Sequence, residues 1–197
     1  MIRLKASVAA VALLLAAAPA IAQVPSYQSP PLQRPTYAAS AVGLAVPQTG
    51  AGDAVCLYGA ANKTVRVKRI AISGTDSTAQ TANVTLVKRS AANTGGTSTT
   101  PTIAGLDSSN SASAAVLRAY TGIPTPGAAV ATVRSQSLPL PAASSATQYP
   151  PVIRNFGETN SQDLILRSAA EGVCVNFPAA FTTAGPSLNV DVTWTEQ

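Results

Sequence analysis

The dominant pattern in this chain is an alternation of apolar and polar residues that begins near residue 52 and recurs to the C-terminus. Leu188, Val190, Val192 and Trp194 alternate with Asn189, Asp191, Thr193 and Thr195. Strict period two with one apolar face predicts a half-buried antiparallel strand, with Trp194 in the core. Residues 83–89 repeat the pattern, with Val84 and Leu86 on one face. Between Thr64 and Ser73 the apolar side changes: Val65 and Val67 lie on one side, Ile70 and Ile72 on the other. Such a switch predicts a β-bulge, or a strand that turns a corner between sheets. Gly74-Thr75-Asp76-Ser77 is a turn, so 64–73 and 83–89 read as a hairpin-like unit.

Further strands are predicted over 54–58, 129–133, 151–156, 163–167 and 173–177. The segment 111–120 fits helix or strand: its alanines favour helix, while Val116, Leu117 and Tyr120 fit either. Around eight short strands with polar turns predict an all-β fold, a two-sheet antiparallel sandwich of jelly-roll-like type. Val65, Val67, Leu86, Val190, Val192 and Trp194 are its predicted core.

The N-terminal region follows other rules. Arg3 and Lys5 precede an apolar run over 6–18, and Ala20-Ile21-Ala22 is a small-x-small cleavage pattern. The run is shorter than the roughly 20 residues that span a bilayer. Residues 1–22 therefore read as a signal peptide, with Gln23 as the mature N-terminus; the alternative is an uncleaved membrane anchor. The expected location is the periplasm, the cell surface or the exterior. Residues 23–51, with Pro25, Pro30, Pro31 and Pro35, read as a flexible Pro/Ser/Gln-rich arm or linker. The sandwich domain is expected over 52–197.

Composition narrows the chemistry. Charged residues make up only 11% of the chain, against roughly 25% in typical globular proteins. Ala, Ser and Thr take their place, which suits a surface outside the cell or one packed against copies of itself. The formal charge is +5, and Arg3 and Lys5 contribute two of those positive charges. Lys63, Arg66, Lys68 and Arg69 form the one basic group, without the interleaved aromatics of a nucleic-acid groove. It reads as a solvated or subunit-facing strand surface.

There is no histidine. That excludes Ser-His-Asp and Cys-His catalysis and removes the commonest metal ligand. Two cysteines are too few for a structural zinc site, and no acidic calcium loop is present. Glu158, Asp163 and Glu171 are the nearest approach to a glycosidase carboxylate pair, but read better as turn and strand-end residues. A Ser-Lys dyad would have to draw on Lys63, Lys68 or Lys88. No catalytic, metal-binding or cofactor-binding residue is assigned.

Export permits a disulfide between Cys56 and Cys174. Closing a loop of roughly 100 residues stabilises a fold by about 4–5 kcal/mol in the chain-entropy model. The alternative is two buried free thiols. Tyr120 and Tyr149 flank proline-rich loops and are the candidates for an exposed ligand contact.

Several phrases occur together: Lys68-Arg69-Ile70, Leu86-Val87-Lys88-Arg89-Ser90-Ala91-Ala92-Asn93-Thr94-Gly95-Gly96-Thr97, Ala119-Tyr120-Thr121-Gly122-Ile123-Pro124-Thr125, Glu171-Gly172-Val173-Cys174-Val175-Asn176 and Trp194-Thr195-Glu196. In this order they resemble small β-sandwich proteins of tailed phages and prophage-bearing bacteria, regarded as virion-associated or particle-surface components. The resemblance covers residues 52–197 and implies a structural role without an active site. The export signal departs from a virion protein assembled in the cytoplasm, and points to a related domain displayed at the cell surface.

The expected function is an exported, non-enzymatic structural or interaction protein that self-associates as a homo-oligomer through sandwich faces or edge strands. The alternative is a carbohydrate- or receptor-binding module with its site on loops 93–110 and 120–128. Expected partners are copies of the chain, a cell-surface glycan or another envelope protein. No nucleic acid, cofactor or stable membrane span after signal cleavage is expected.

Overall fold

A computed structural model describes residues 33–46, 51–158, 161–181 and 185–197. Among them the chain forms strands and no helix: β1 (Thr36–Ala45), β2 (Gly52–Tyr58), β3 (Val65–Thr75), β4 (Gln80–Arg89), β5 (Ser98–Thr99), β6 (Ile103–Gly105), β7 (Val116–Tyr120), β8 (Ala129–Leu140), β9 (Val152–Asn155), β10 (Leu164–Leu166), β11 (Gly172–Phe177) and β12 (Ser187–Glu196). They build two antiparallel sheets. The first runs β10-β3-β12-β1-β6, with β9 on the same edge of β3 as β10; the second runs β5-β7-β2-β11-β4-β8.

The pairing is nested. β1 pairs with β12, β2 with β11, β3 with β9 and β10, and β4 with β8. Successive pairs alternate between the two sheets, which is the jelly-roll arrangement of a long antiparallel ribbon rolled into a sandwich. Residues 90–128 are an insertion in that ribbon, between β4 and β8. The insertion adds β6 beside β1 in the first sheet, and β7 and β5 beside β2 in the second.

The core lies between the sheets. All six predicted core residues are buried in one apolar cluster, which also takes Tyr37, Leu57, Ile70, Ile72 and Phe177. The switch of apolar side in β3 is a bulge. Arg69 faces Thr193 and Val67 faces Trp194, so Lys68 is the extra residue, and Val67 and Ile70 both reach the core.

Four expectations need correction. Residues 36–45, read as part of a flexible arm over 23–51, form β1, hydrogen-bonded between β12 and β6. Tyr37, Ala39 and Ala41 alternate into the core; alanine has little strand preference of its own, so this period is faint. β3 and β4 are not a hairpin: they belong to different sheets, and the turn between them carries the chain from one layer to the other. Strand β7 begins at Val116, so 111–115 is neither helix nor strand. β8 extends to Leu140, past the predicted 129–133. The signal segment 1–22 lies outside the described residues. Among the described residues no helix is long and apolar enough to cross a membrane.

Candidate functional site

The insertion must cross the second sheet twice. It leaves β4, passes β11, β2 and β7 to reach β5, and later returns from β7 to β8. Both connections run over the outer face, in opposite directions, and meet where Thr94 and Thr125 exchange backbone hydrogen bonds of 3.0 and 2.8 Å. Two glycines allow the close approach. A Cβ on Gly96, whose φ is +72°, would stand 2.7 Å from the Gly122 carbonyl oxygen, and one on Gly127 would stand 1.9 Å from that of Ala91.

Beneath the crossing lies a buried polar cluster centred on Asp53, whose carboxylate accepts four hydrogen bonds. Arg89 donates from Nε at 2.6 Å and from Nη2 at 2.7 Å, Asn93 Nδ2 at 2.7 Å and Asn176 Nδ2 at 2.8 Å. Arg89 Nη1 also donates to the Gly127 carbonyl at 2.7 Å, and the Gly127 N–H donates to Asn93 Oδ1 at 2.9 Å. A buried charge needs this degree of pairing, and here the pairing ties both crossing connections to β2, β4 and β11.

Cys56 and Cys174 face each other across the β2–β11 pair and are joined in a disulfide, closing a sequence separation of 118. Of the two readings the sequence left open, a disulfide and two buried free thiols, the disulfide is the one present. Asp53, Cys56 and Cys174 converge like metal ligands, but bonded sulfurs offer no thiolate and the carboxylate is occupied by Arg89.

Tyr120 is not an exposed contact residue. It is only 2% exposed and clusters with Tyr58 and the disulfide, its hydroxyl 3.1 Å from that of Tyr58. It faces outward from the sheet, but the crossing connections cover that face. Tyr58 Oη also accepts from the Asn93 N–H at 3.0 Å. Burial, reinforced by Tyr120, pushes the Tyr58 hydroxyl well above the usual tyrosine range. Tyr149 is half exposed, as expected. It borders a shallow cleft of about 190 Å³ with Ser73, Thr75, Gln148, Ser187 and Asn189.

A second buried carboxylate, Glu196 on β12, is only 2% exposed. Burial alone would raise its pKa. Hydrogen bonds from Ser113 Oγ (2.6 Å), Lys63 Nζ (2.9 Å) and the Ala114 and Ala115 N–H groups outweigh burial and hold it down at about 2. Trp194 Nε1 donates to it at 3.2 Å. Since the folded protein releases this proton at lower pH than the unfolded chain, the unfolded state binds more protons between about pH 2 and 4.5. The contribution is complete above about pH 4.5 and disappears as pH falls towards 2, amounting to about 3 kcal/mol. Urea unfolding at pH 7 and pH 3 should show about 2 kcal/mol of that loss in the wild type, and a smaller loss in Glu196→Gln. Equal pH dependence in the two proteins would rule Glu196 out as its source.

The remaining titratable candidates are engaged separately. Lys68 and Arg66 meet Asp163 at 2.7 and 3.6 Å, Lys88 meets Glu171 at 3.8 Å and Lys63 meets Glu196. Glu158 is exposed. Thus Asp163 and Glu171 sit against strands of different sheets, and each lysine considered for a Ser-Lys dyad faces a carboxylate. Asp53, Arg89, Asn93 and Glu196 went unassigned in the sequence. The signal was available at Asp53, a lone acid leading the apolar run 54–58.

A cleft of about 580 Å³ lies where the insertion meets the jelly-roll body. The body supplies Tyr58 and the turn 59–63; the insertion supplies Ala92, Ala114, Val116 and Arg118. No protein-family model matches the sequence, and no curated protein or solved structure matches it.

Proposed function

We propose that this is an exported, non-enzymatic structural protein that associates with copies of itself by adding strands at β8. The observation that carries this reading is the β8 edge. Proteins guard sheet edges by keeping them short, charged or covered. The other edge strands, β5, β6, β9 and β10, are two, three, four and three residues long. β8 has 12 residues and one charge, Arg134, and its outer edge has no strand partner among the described residues. Residues 129–132 are exposed on both faces, Val130 by 59%. Two β8 strands meeting antiparallel would join two sandwiches about a two-fold axis. The neutral, hydroxyl-rich composition and the resemblance to particle-surface proteins support the same reading.

Light scattering on the purified protein over a range of concentrations tests it, with intact mass reporting whether cleavage occurs before Gln23. A dimer or larger assembly is expected. The double variant Val130→Lys/Thr132→Lys changes only exposed side chains, so it should keep its melting temperature and become monomeric. A monomeric wild type, or a variant of unchanged mass, would refute association through this edge.

One observation favours a second reading, a carbohydrate-binding module. The neutral hydroxyl and amide side chains beside half-exposed Tyr149 suit a sugar ring stacked on an aromatic face. This reading takes over if the protein is monomeric and a glycan-array signal depends on Tyr149.

A further inference from the structure

We propose that the cleft at the junction of insertion and jelly-roll body binds a small organic carboxylate with an apolar body. No residue of β8 lines this cleft, so the site is separate from the edge proposed for self-association. The cleft's volume, about 580 Å³, falls within the range of small-molecule sites. It stays open because Ala92 and Ala114 stand where larger side chains would fill it, and Tyr58 and Val116 give it an apolar lining.

Charge selects the ligand. The two cations lining the cleft differ in how far they are committed. Lys63 gives one of its three donors to Glu196 Oε2 at 2.9 Å. Arg118 forms no ion pair among the described residues, and its one hydrogen bond is a long 3.5 Å contact with Ser98 Oγ. It lies opposite Cys56 on the outer face of β7, held there by the β2–β7 pairing rather than by a carboxylate. The nearby carboxylate, Glu196, has its oxygens taken by Lys63, Ser113, Ala114, Ala115 and Trp194.

The cleft therefore carries one uncompensated positive charge above an apolar lining. A guanidinium matches a carboxylate through two parallel hydrogen bonds. A cation would be repelled, and a multiply charged phosphate would bring more charge than one free arginine neutralises. An alkyl or aryl carboxylate fits both features.

The test is an NMR titration of the full-length protein with 4-phenylbutyrate, using its neutral amide as control. Saturable shifts are expected at the amides of 59–63 and 116–118. Arg118→Gln should weaken binding by about tenfold or more, and the amide should bind about tenfold more weakly than the acid. Ala92→Phe should block the cleft. Both substitutions fall at exposed positions, so the folded spectrum serves as the control. The proposal is overturned by the absence of saturable shifts up to about 10 mM ligand, by shifts confined to other surfaces, by full affinity in Arg118→Gln, or by equal binding of acid and amide.

Discussion

Asp53→Ala should destabilise the protein by about 3–5 kcal/mol, because it leaves a buried cation without its partner. Asp53 is 3% exposed and Arg89 5%, so little water can reach the orphaned guanidinium. The amides of Asn93 and Asn176 lose their acceptor in the same step. Urea unfolding gives the size of the effect, and amide hydrogen exchange shows where it falls. Protection should drop first in 90–97 and 121–128, the two connections that this cluster ties to the sheet. The pair Asp53→Ala/Arg89→Met removes both charges and should recover part of the loss. A cost under about 1 kcal/mol would mean that the cluster does not hold the insertion down. Because Ala92 lies on the first of those connections, the same variant should also weaken the carboxylate site proposed above.

Trp194→Ala should cost about 3–5 kcal/mol through loss of buried contacts and the cavity left behind. Trp194 is fully buried on β12 and stacks on Tyr37 of β1, with ring centroids 6.0 Å apart. It therefore couples the last strand to the first. Its indole N–H also serves Glu196, so the smaller change Trp194→Phe keeps most of the packing and removes one donor from that carboxylate. The alanine variant should lower the urea midpoint and strip hydrogen-exchange protection from β1 before β11. A loss below about 1 kcal/mol would contradict the placement of Trp194 in the core. As the chain's one tryptophan, it also provides the wild type with a built-in fluorescence probe of unfolding.

The sequence was most legible where branched and aromatic residues carry the period. β3, β4, β11 and β12 were readable for that reason, and of the bulge or corner that the change of side between Val67 and Ile70 announced, the pairing of β3 with β12 shows a bulge at Lys68. β1 was obscured because alanine fills its inward positions and prolines precede it. β5 and β6 are too short to show a period.

Periodicity tells which face of a strand is buried, so the all-β class, the core residues and the two-sheet sandwich were present in the order of residues itself. It does not say what a face is buried against, or which strands become neighbours. Only the tertiary structure decided that β1 joins β12, that Cys56 meets Cys174, and that 90–128 crosses the outer face of the second sheet. That crossing is why Tyr120, on a face that would otherwise meet solvent, is buried while Tyr149 remains exposed. It also explains how Asp53 finds its partners inside the protein: they come from β4, β11 and a connecting loop, and no local pattern places them together.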